Sequence, residues 1–398
     1  MLRAESQTGS YSGSAQKKSL LGSGDIAEIL CDTLPSMNHM LGESDRLPGI
    51  VTSISTQIIG PMIRSRLFPR NISRPLLKLI QIISKISNAS KSWRKDVYDF
   101  LNDPRFFQNS SDIVREGWLP VLAQLYNVDK GLLAELLSRL TIPAAAGLMF
   151  GVGASTARLD ADRKTQLNLR RLAIVVMAAE DETINVQAIR VKIEETLTAT
   201  RVSSPSSLTR AEVFMLVRAL ALKSSPTQLA SLWPAISAEL VDAFSSVIED
   251  SPGVYSGFSL LQAAKLLDLL LIMQPDEFQL HEWLFVTDTL DAIYPPDGWR
   301  SSALIDKVAQ TAHRTETPVT THPGHLPESP NELRRPWLCS DTTRGVGQND
   351  VLDKLLRPFF AQLSIHAFER TYSLGVVHWE ACVNDLIADL CDDETIAS

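Results

Sequence analysis

The sequence predicts an all-α protein: an α-solenoid of HEAT- or armadillo-like antiparallel helix pairs, interrupted by one long irregular insertion. Three observations predict it. Apolar residues recur with the 3.6-residue period of a helix, as in Leu76, Leu79, Ile80, Ile83 and Ile86 opposite Lys78, Gln81, Ser84, Lys85 and Asn88. The periodic segments are mostly about 12 to 20 residues long and are joined by short turns such as Ser224–Ser225 and Gln274–Pro275, which favours antiparallel neighbours. No convincing run of alternating apolar and polar residues marks a strand. Stacked pairs build a solenoid without needing a clean sequence period. A compact bundle has the same local pattern, so both arrangements stay open.

In chain order, residues 1–23 are rich in Ser and Gly and read as a disordered lead-in. A helical-repeat domain is expected over 24–313. After Leu76–Asn88, helical patterns run through 110–127, 129–141, 164–179, 184–200, 208–222, 226–249, 258–273, 276–293 and 302–313. Thr209 with Glu212, just before Val213 and Phe214, reads as a capping box. Pro226 and Pro275 stand near helix starts, where a missing N–H costs little. Leu260–Met273 is leucine-rich nearly all round and too short for sustained heptads, so it reads as a buried central helix. Residues 314–348 hold five prolines and read as a Pro-rich loop or disordered insertion. Its PxxP, Pro327 to Pro330, is read as polar loop rather than SH3 ligand. Two C-terminal helices, within 349–394, are expected to pack on the same domain.

Composition excludes several classes. At 44% hydrophobic and 21% charged, with seven Trp and thirteen Phe, the 398 residues can bury a sizeable core and are not wholly disordered. Four cysteines without a CxxC write neither a disulfide framework nor a zinc ribbon. A reduced, cytosolic compartment is the default. Leu260–Met273 is cut by Lys265 and Asp268, and Leu140–Ala157 is mostly small residues with Pro143, so neither makes a spanning helix. Net charge is −8, which argues against a generally basic nucleic-acid binder.

The motifs of catalysis are missing. Gly147 to Thr156 resembles a phosphate loop only superficially, because Ala154 stands where Lys is needed and a helix precedes it. It reads as an interhelix connection. His313, His322 and His325 have no partner at fixed helical spacing. His378 and Cys382 are four apart, but two ligands make no metal site. No HExxH, GxSxG or converging set of catalytic groups is written, so no cofactor, metal or catalytic residue is assigned. Trp337–Leu338 and Trp379 are the apolar candidates for protein contact, and are read as core cover.

One feature stands above background. From Arg46 to Lys95 there is no Asp or Glu, while ten Lys and Arg occur, so this segment carries +10 and the remainder −18. Arg64, Arg66, Arg70 and Arg74 surround a turn marked by Pro69 and Pro75. Lys78 and Lys85 share a helix face, and Lys91, Arg94 and Lys95 open the next helix. Gathered, they form a patch for anionic lipid headgroups or an acidic partner, each charge near a membrane contributing about 1 kcal/mol. Dispersed, they are a solvated surface offset by acids elsewhere. The C-terminal acids Asp385, Asp389, Asp392, Asp393 and Glu394 are expected to face away from a bilayer.

Two segments carry a family resemblance. Pro275-Asp276-Glu277-Phe278-Gln279-Leu280-His281-Glu282-Trp283-Leu284-Phe285, continuing to Asp291-Ala292-Ile293-Tyr294-Pro295-Pro296, is the first. The second is Leu356-Arg357-Pro358-Phe359-Phe360-Ala361-Gln362-Leu363-Ser364-Ile365-His366-Ala367-Phe368-Glu369. Both closely resemble the C-terminal domain of the Dopey proteins, fungal-type members included, with weaker similarity from about residue 24 to the end. The resemblance implies a non-enzymatic scaffold of endosome-to-Golgi traffic and Golgi organisation. It implies a cytosolic protein, peripheral on Golgi and endosomal membranes. Its implied partners are a large Arf-exchange-factor-like scaffold, through it a phospholipid flippase, phosphatidylinositol 4-phosphate, and a second copy of itself. Family members are much longer, so a part of a longer protein is implied. The signature residues Pro275, Asp276, Glu277, Phe278, His281, Trp283, Arg357, Pro358, Phe359, His366 and Phe368 are read as structural. Two other readings are kept: a soluble importin-like helical-repeat adaptor for a protein cargo, and an enzyme whose site assembles from dispersed residues.

Overall fold

The computed structural model describes residues 23–41, 46–86, 90–140, 152–202, 207–249, 254–311, 333–343, 345–347, 349–372 and 375–392. These are all-α, and the one extended pairing among them is an isolated parallel bridge between Arg334 and Val377. Residues 1–22 of the lead-in, residues 141–151, and residues 312–332 with His313, His322 and His325 lie outside the described residues, whereas Val152 to Thr156 open the long helix α9 (Val152–Ala178) rather than a connection.

Helix α1 (Ser23–Leu41) is followed by α2 (Arg46–Ile54), which runs through a π-helical turn at Ser55–Ile59 into α3 (Gly60–Ile63). The turn over 64–73 leads to α4 (Arg74–Ser84), where Ser73 Oγ accepts from Leu76 N and Pro75 fills the first turn. Then come α5 (Ser90–Asn102) and a 3₁₀ turn, Pro104–Gln108, capped by Asp103. Short α6 (Ser111–Ile113) enters α7 (Leu119–Val128) through a second π-helical turn, Val114–Trp118. Gly117 in that turn lies so close to α4 that a Cβ there would sit 2.4 Å from Leu77 Cδ1. Phe100 and Phe106 pack edge-on to Trp118, at 4.5 and 5.6 Å between ring centroids, and close the N-terminal core.

The middle of the chain is α8 (Leu132–Ser138), α9 (Val152–Ala178), α10 (Val186–Val202), α11 (Ser207–Lys223), α12 (Pro226–Leu229), α13 (Trp233–Ile248) and α14 (Gly257–Met273). The capping box that does form is Ser225 with Gln228, around Pro226. Thr209 and Glu212 lie inside α11 instead: the helix begins at Ser207, and burial gives Glu212 a different task, described below. Helix α14 is buried on nearly every side from Phe258 to Ile272, and Gln274 ends it in the left-handed region at φ 48°. Together with α15 (Asp276–Glu282) and α16 (Leu304–Thr311) it encloses a C-terminal core of Trp233, Phe244, Phe278, Phe285 and Phe360.

After residue 332 the chain is held to the fold. Leu338 is buried, and the Trp337 ring lies 3.5 Å from that of His366. Short α17 (Ser340–Thr343) precedes a π-helical turn, Val351–Leu356, that runs into α18 (Arg357–Tyr372), and α19 (Trp379–Leu390) ends the fold.

Contacts between helices run in chain order: α1 on α4, α4 on α7, α7 on α9, α9 on α11, α11 on α14, and α14 on the turn before α18. Beside this line, α13 packs on α16 and α16 on α18. Helix α19 breaks the order, because it returns across α11 and α9 to reach α6 and its π-helical turn. No single helix among the described residues is long and apolar enough to cross a membrane.

Candidate functional site

The basic segment divides along the α4–α5 hairpin. Eleven residues of α4 span about 16 Å at 1.5 Å per residue. Arg64, Arg66, Arg70 and Arg74 therefore lie around one end, where the Phe68 ring packs 5.1 Å from Phe100 near the end of α5. Lys85 and Lys91 lie toward the other end, followed by Arg94 and Lys95 on the first turns of α5. All except Arg94 are exposed.

The first group meets acids from outside the acid-free window. Arg74 pairs with Glu116 at 3.0 Å. Arg74 and Lys78 line a cleft of about 380 Å³ whose other charged residues are Glu28 and Asp32 of α1, Asp112 of α6 and Glu116. Arg64 folds back on Gly60 O at 3.1 Å and lies near Asp96, whose carboxyl accepts from Ser55 Oγ. Burial pushes that carboxyl up, against the Ser55 hydrogen bond and the Arg64 charge. Arg66 and Arg70 differ, since neither forms an ion pair with a described residue.

The signature residues divide between core and surface. Pro275 begins α15, and Phe278, Phe359 and His366 are buried. Arg357 pairs with Asp353 at 3.0 Å, while Pro358, Phe368, Glu277 and His281 are half-buried. Asp276 is exposed, and so is Trp283 at 64%. Buried Glu282, on the same helix, is pushed up to about 7 by burial and then by the Asp288 charge.

Sequence reasoning missed a buried charged cluster at α19. Asp385 and Asp389, expected on an acidic exterior, are buried in the middle of the fold. Arg218 of α11 donates to Asp385 Oδ2 and Asp389 Oδ2 at 2.6 Å each, and to Gln262 Oε1 at 2.9 Å. Lys265 of α14 donates to both oxygens of Asp389, at 2.7 and 2.9 Å. One turn along, Asp268 accepts from the backbone N–H groups of Trp337 and Leu338, at 2.6 and 3.0 Å. Burial works against charge on Asp389, but Lys265 and Arg218 outweigh it and hold the carboxyl below its usual range. Beyond the end of α19, Arg170 pairs with Glu212 and donates to Asp392 O at 2.8 Å. A further buried pair, Arg210 with Glu239 at 2.9 Å, takes in Arg201 and the Tyr255 hydroxyl. The available signal was the presence of Lys265 and Asp268 in an otherwise apolar helix, since charges buried there must find partners.

These clusters join elements rather than present reactive groups. His378 caps α19 by accepting from Ala381 N at 2.9 Å, and burial raises the Cys382 thiol to about 12. Among the described residues, no group of three His, Cys, Asp or Glu could hold a metal ion. Trp337 is half-buried against His366, whereas Trp379 is half exposed.

The fold and surface thus define an all-α assembly tied through its centre by buried ion pairs, with basic residues at two ends of one helical hairpin. The chain belongs to the DOP1 C-terminal family, whose description matches residues 2–373. It is 49% identical to Protein dop1 of Emericella nidulans over 384 residues, 95% of this chain and 20% of that protein. It is 24% identical to Protein DOP1 of Saccharomyces cerevisiae over 375 residues, 89% of this chain and 20% of that one. To Protein pad-1 of Caenorhabditis elegans it is 25% identical, covering 85% of this chain and 14% of that protein. The chain thus spans about a fifth of the length of its fungal relatives. No solved structure matches it.

Proposed function

We propose that the chain is a non-catalytic interaction module of membrane traffic between endosome and Golgi. It works on the cytosolic face of those membranes and holds anionic lipid, phosphatidylinositol 4-phosphate included, through the basic end of the α4–α5 hairpin. The same reading assigns the rest of its surface to a large Arf-exchange-factor-like scaffold and, through that scaffold, to a phospholipid flippase. The observation that carries the lipid reading is the exposure of Arg66 and Arg70, on a turn whose own sequence has no acid and without ion pairs to described residues. Arg74 and Lys78 contribute less, because the cleft acids offset them.

Vesicle flotation tests this. Arg66→Glu with Arg70→Glu should lower binding to phosphatidylcholine vesicles containing phosphatidylinositol 4-phosphate by at least about thirtyfold, since each reversal replaces attraction of about 1 kcal/mol with repulsion. Binding should also weaken with salt, as screening requires. A folded double variant that floats like the wild type would sink the lipid reading. Recovery of the scaffold by affinity purification of the tagged protein tests the other half.

A further inference from the structure

The turn between α3 and α4 presents one apolar side chain among these arginines. Leu67 is 67% exposed, while its neighbours Phe68 and Pro69 are buried. The turn is held from beneath. Leu67 N donates to Ser65 Oγ at 3.1 Å, and Phe68 N donates to Ser65 O at 3.2 Å. Arg105 Nη1 reaches the same carbonyl at 3.4 Å, and its guanidinium lies 5.3 Å from the centre of the Phe68 ring. Asn71 Nδ2 donates to Met62 O at 2.8 Å, and Ile72 N to Pro69 O at 3.0 Å. An apolar side chain fixed outward at a basic turn adds apolar burial to charge attraction at a lipid surface, and its presentation costs little further ordering.

We propose that Leu67 is a membrane anchor: the turn docks on an anionic bilayer with Arg66 and Arg70 at the headgroup phosphates and Leu67 inserted among the first acyl carbons. This rests on the lipid reading above and adds to it a requirement for a bilayer, beyond a phosphate group. Charge complementarity favours lipid over an acidic protein surface, because an exposed leucine between two arginines gains most where the anionic layer overlies hydrocarbon.

The two components separate by salt and by depth. Leu67→Ala should weaken partition to phosphatidylcholine vesicles containing phosphatidylinositol 4-phosphate by about tenfold, the worth of the methylenes withdrawn from lipid. That loss should persist at high salt, where the effect of Arg66→Glu fades. Leu67→Trp should bind at least as well as wild type, and acyl-chain-brominated vesicles should quench more of its fluorescence than of wild-type fluorescence. Because Leu67 is exposed, both variants should unfold at the wild-type temperature. If the wild type floats and the arginine reversal abolishes flotation, but Leu67→Ala floats normally and Leu67→Trp shows no added quenching, the docking is electrostatic and the anchor is wrong. If the wild type does not float, both readings fall. Capture by an acidic protein surface, with no quenching by lipid, would also overturn the anchor.

Discussion

Replacing Lys265 by Met removes a charge from an otherwise mostly apolar helix, yet it should be among the most damaging single changes in the chain. Lys265 is 2% exposed and contacts both oxygens of Asp389, with Asp385 Oδ1 at 3.5 Å. Two carboxylates and two cations balance here. Without Lys265, Arg218 alone faces two buried acids, and the surplus charge must be neutralised or hydrated. Removing one partner of a buried pair costs about 3–5 kcal/mol. At about 1.2 °C per kcal/mol for a chain of this size, melting should fall by about 4–6 °C. Asp389→Leu alone strands a cation and should cost a similar amount. The double variant restores neutrality, since Arg218 keeps Asp385 at 2.6 Å and Gln262 at 2.9 Å. Its loss should be smaller than either single loss, giving a coupling of about 3 kcal/mol. Denaturant midpoints by circular dichroism measure all four proteins. The pH sign is also fixed. In Lys265→Met the unpaired carboxyl has a raised pKa, so its protonated form holds the fold at low pH, and the deficit should grow as pH rises. Additive losses in the double variant, or a deficit independent of pH, would refute the network argument.

Two further outcomes follow from local geometry. Glu282, raised to about 7, binds its proton more tightly folded than unfolded, so stability falls as pH rises from about 4.5 through 7. Glu282→Gln should therefore gain roughly 1–3 kcal/mol over wild type at pH 8 and almost nothing at pH 4, read as urea midpoints at the two values. Gly117→Ala drives a methyl into Leu77, which is buried, and should cost about 1–3 kcal/mol. Adding Leu77→Ala should then cost less than Leu77→Ala does in wild type, and equal costs in both backgrounds would show that the close approach relaxes freely.

Helix existence was legible even where burial is complete, but the partners of the polar residues on such a helix were not. The 208–222 pattern locates α11 within a residue at each end. Yet Thr209 to Ala221 are all buried, so its polar residues do not mark a solvent face. Glu212 looks like the far end of a capping box because box and buried pair have the same local spelling. Its true partner, Arg170, stands 42 positions away on α9. Asp385 and Asp389 present the same difficulty. Spaced four apart, they read as the wet side of a last helix, and only the returning path of α19 over α11 and α14 puts them against Arg218 and Lys265. Helical period reports which residues share a face, and cannot report what that face meets. The signature aromatics Phe278 and Phe359, read from the sequence as structural, are buried, since large apolar side chains have few other places to go.

The charge of the basic window illustrates how a sequence interval differs from a surface. Ten cations without an acid suggest one strong face, but the acids that offset it flank the window closely: Glu28 and Asp32 precede it, and Asp112 and Glu116 follow it. Packing α1 and the Val114–Trp118 π-helical turn beside α4 carries those four carboxylates to the cleft where Arg74 and Lys78 stand. Neutralisation therefore falls on the helix and spares the turn before it, where Arg66 and Arg70 are exposed and form no ion pair with a described residue. A surface with +10 focused on it would lose affinity steeply with added salt. One acting through two arginines and a leucine should show a shallow dependence with a salt-resistant remainder. Flotation measured across a salt series thus reads the number of charges that act, and a steep loss to zero would mean that the whole window, cleft included, faces the lipid.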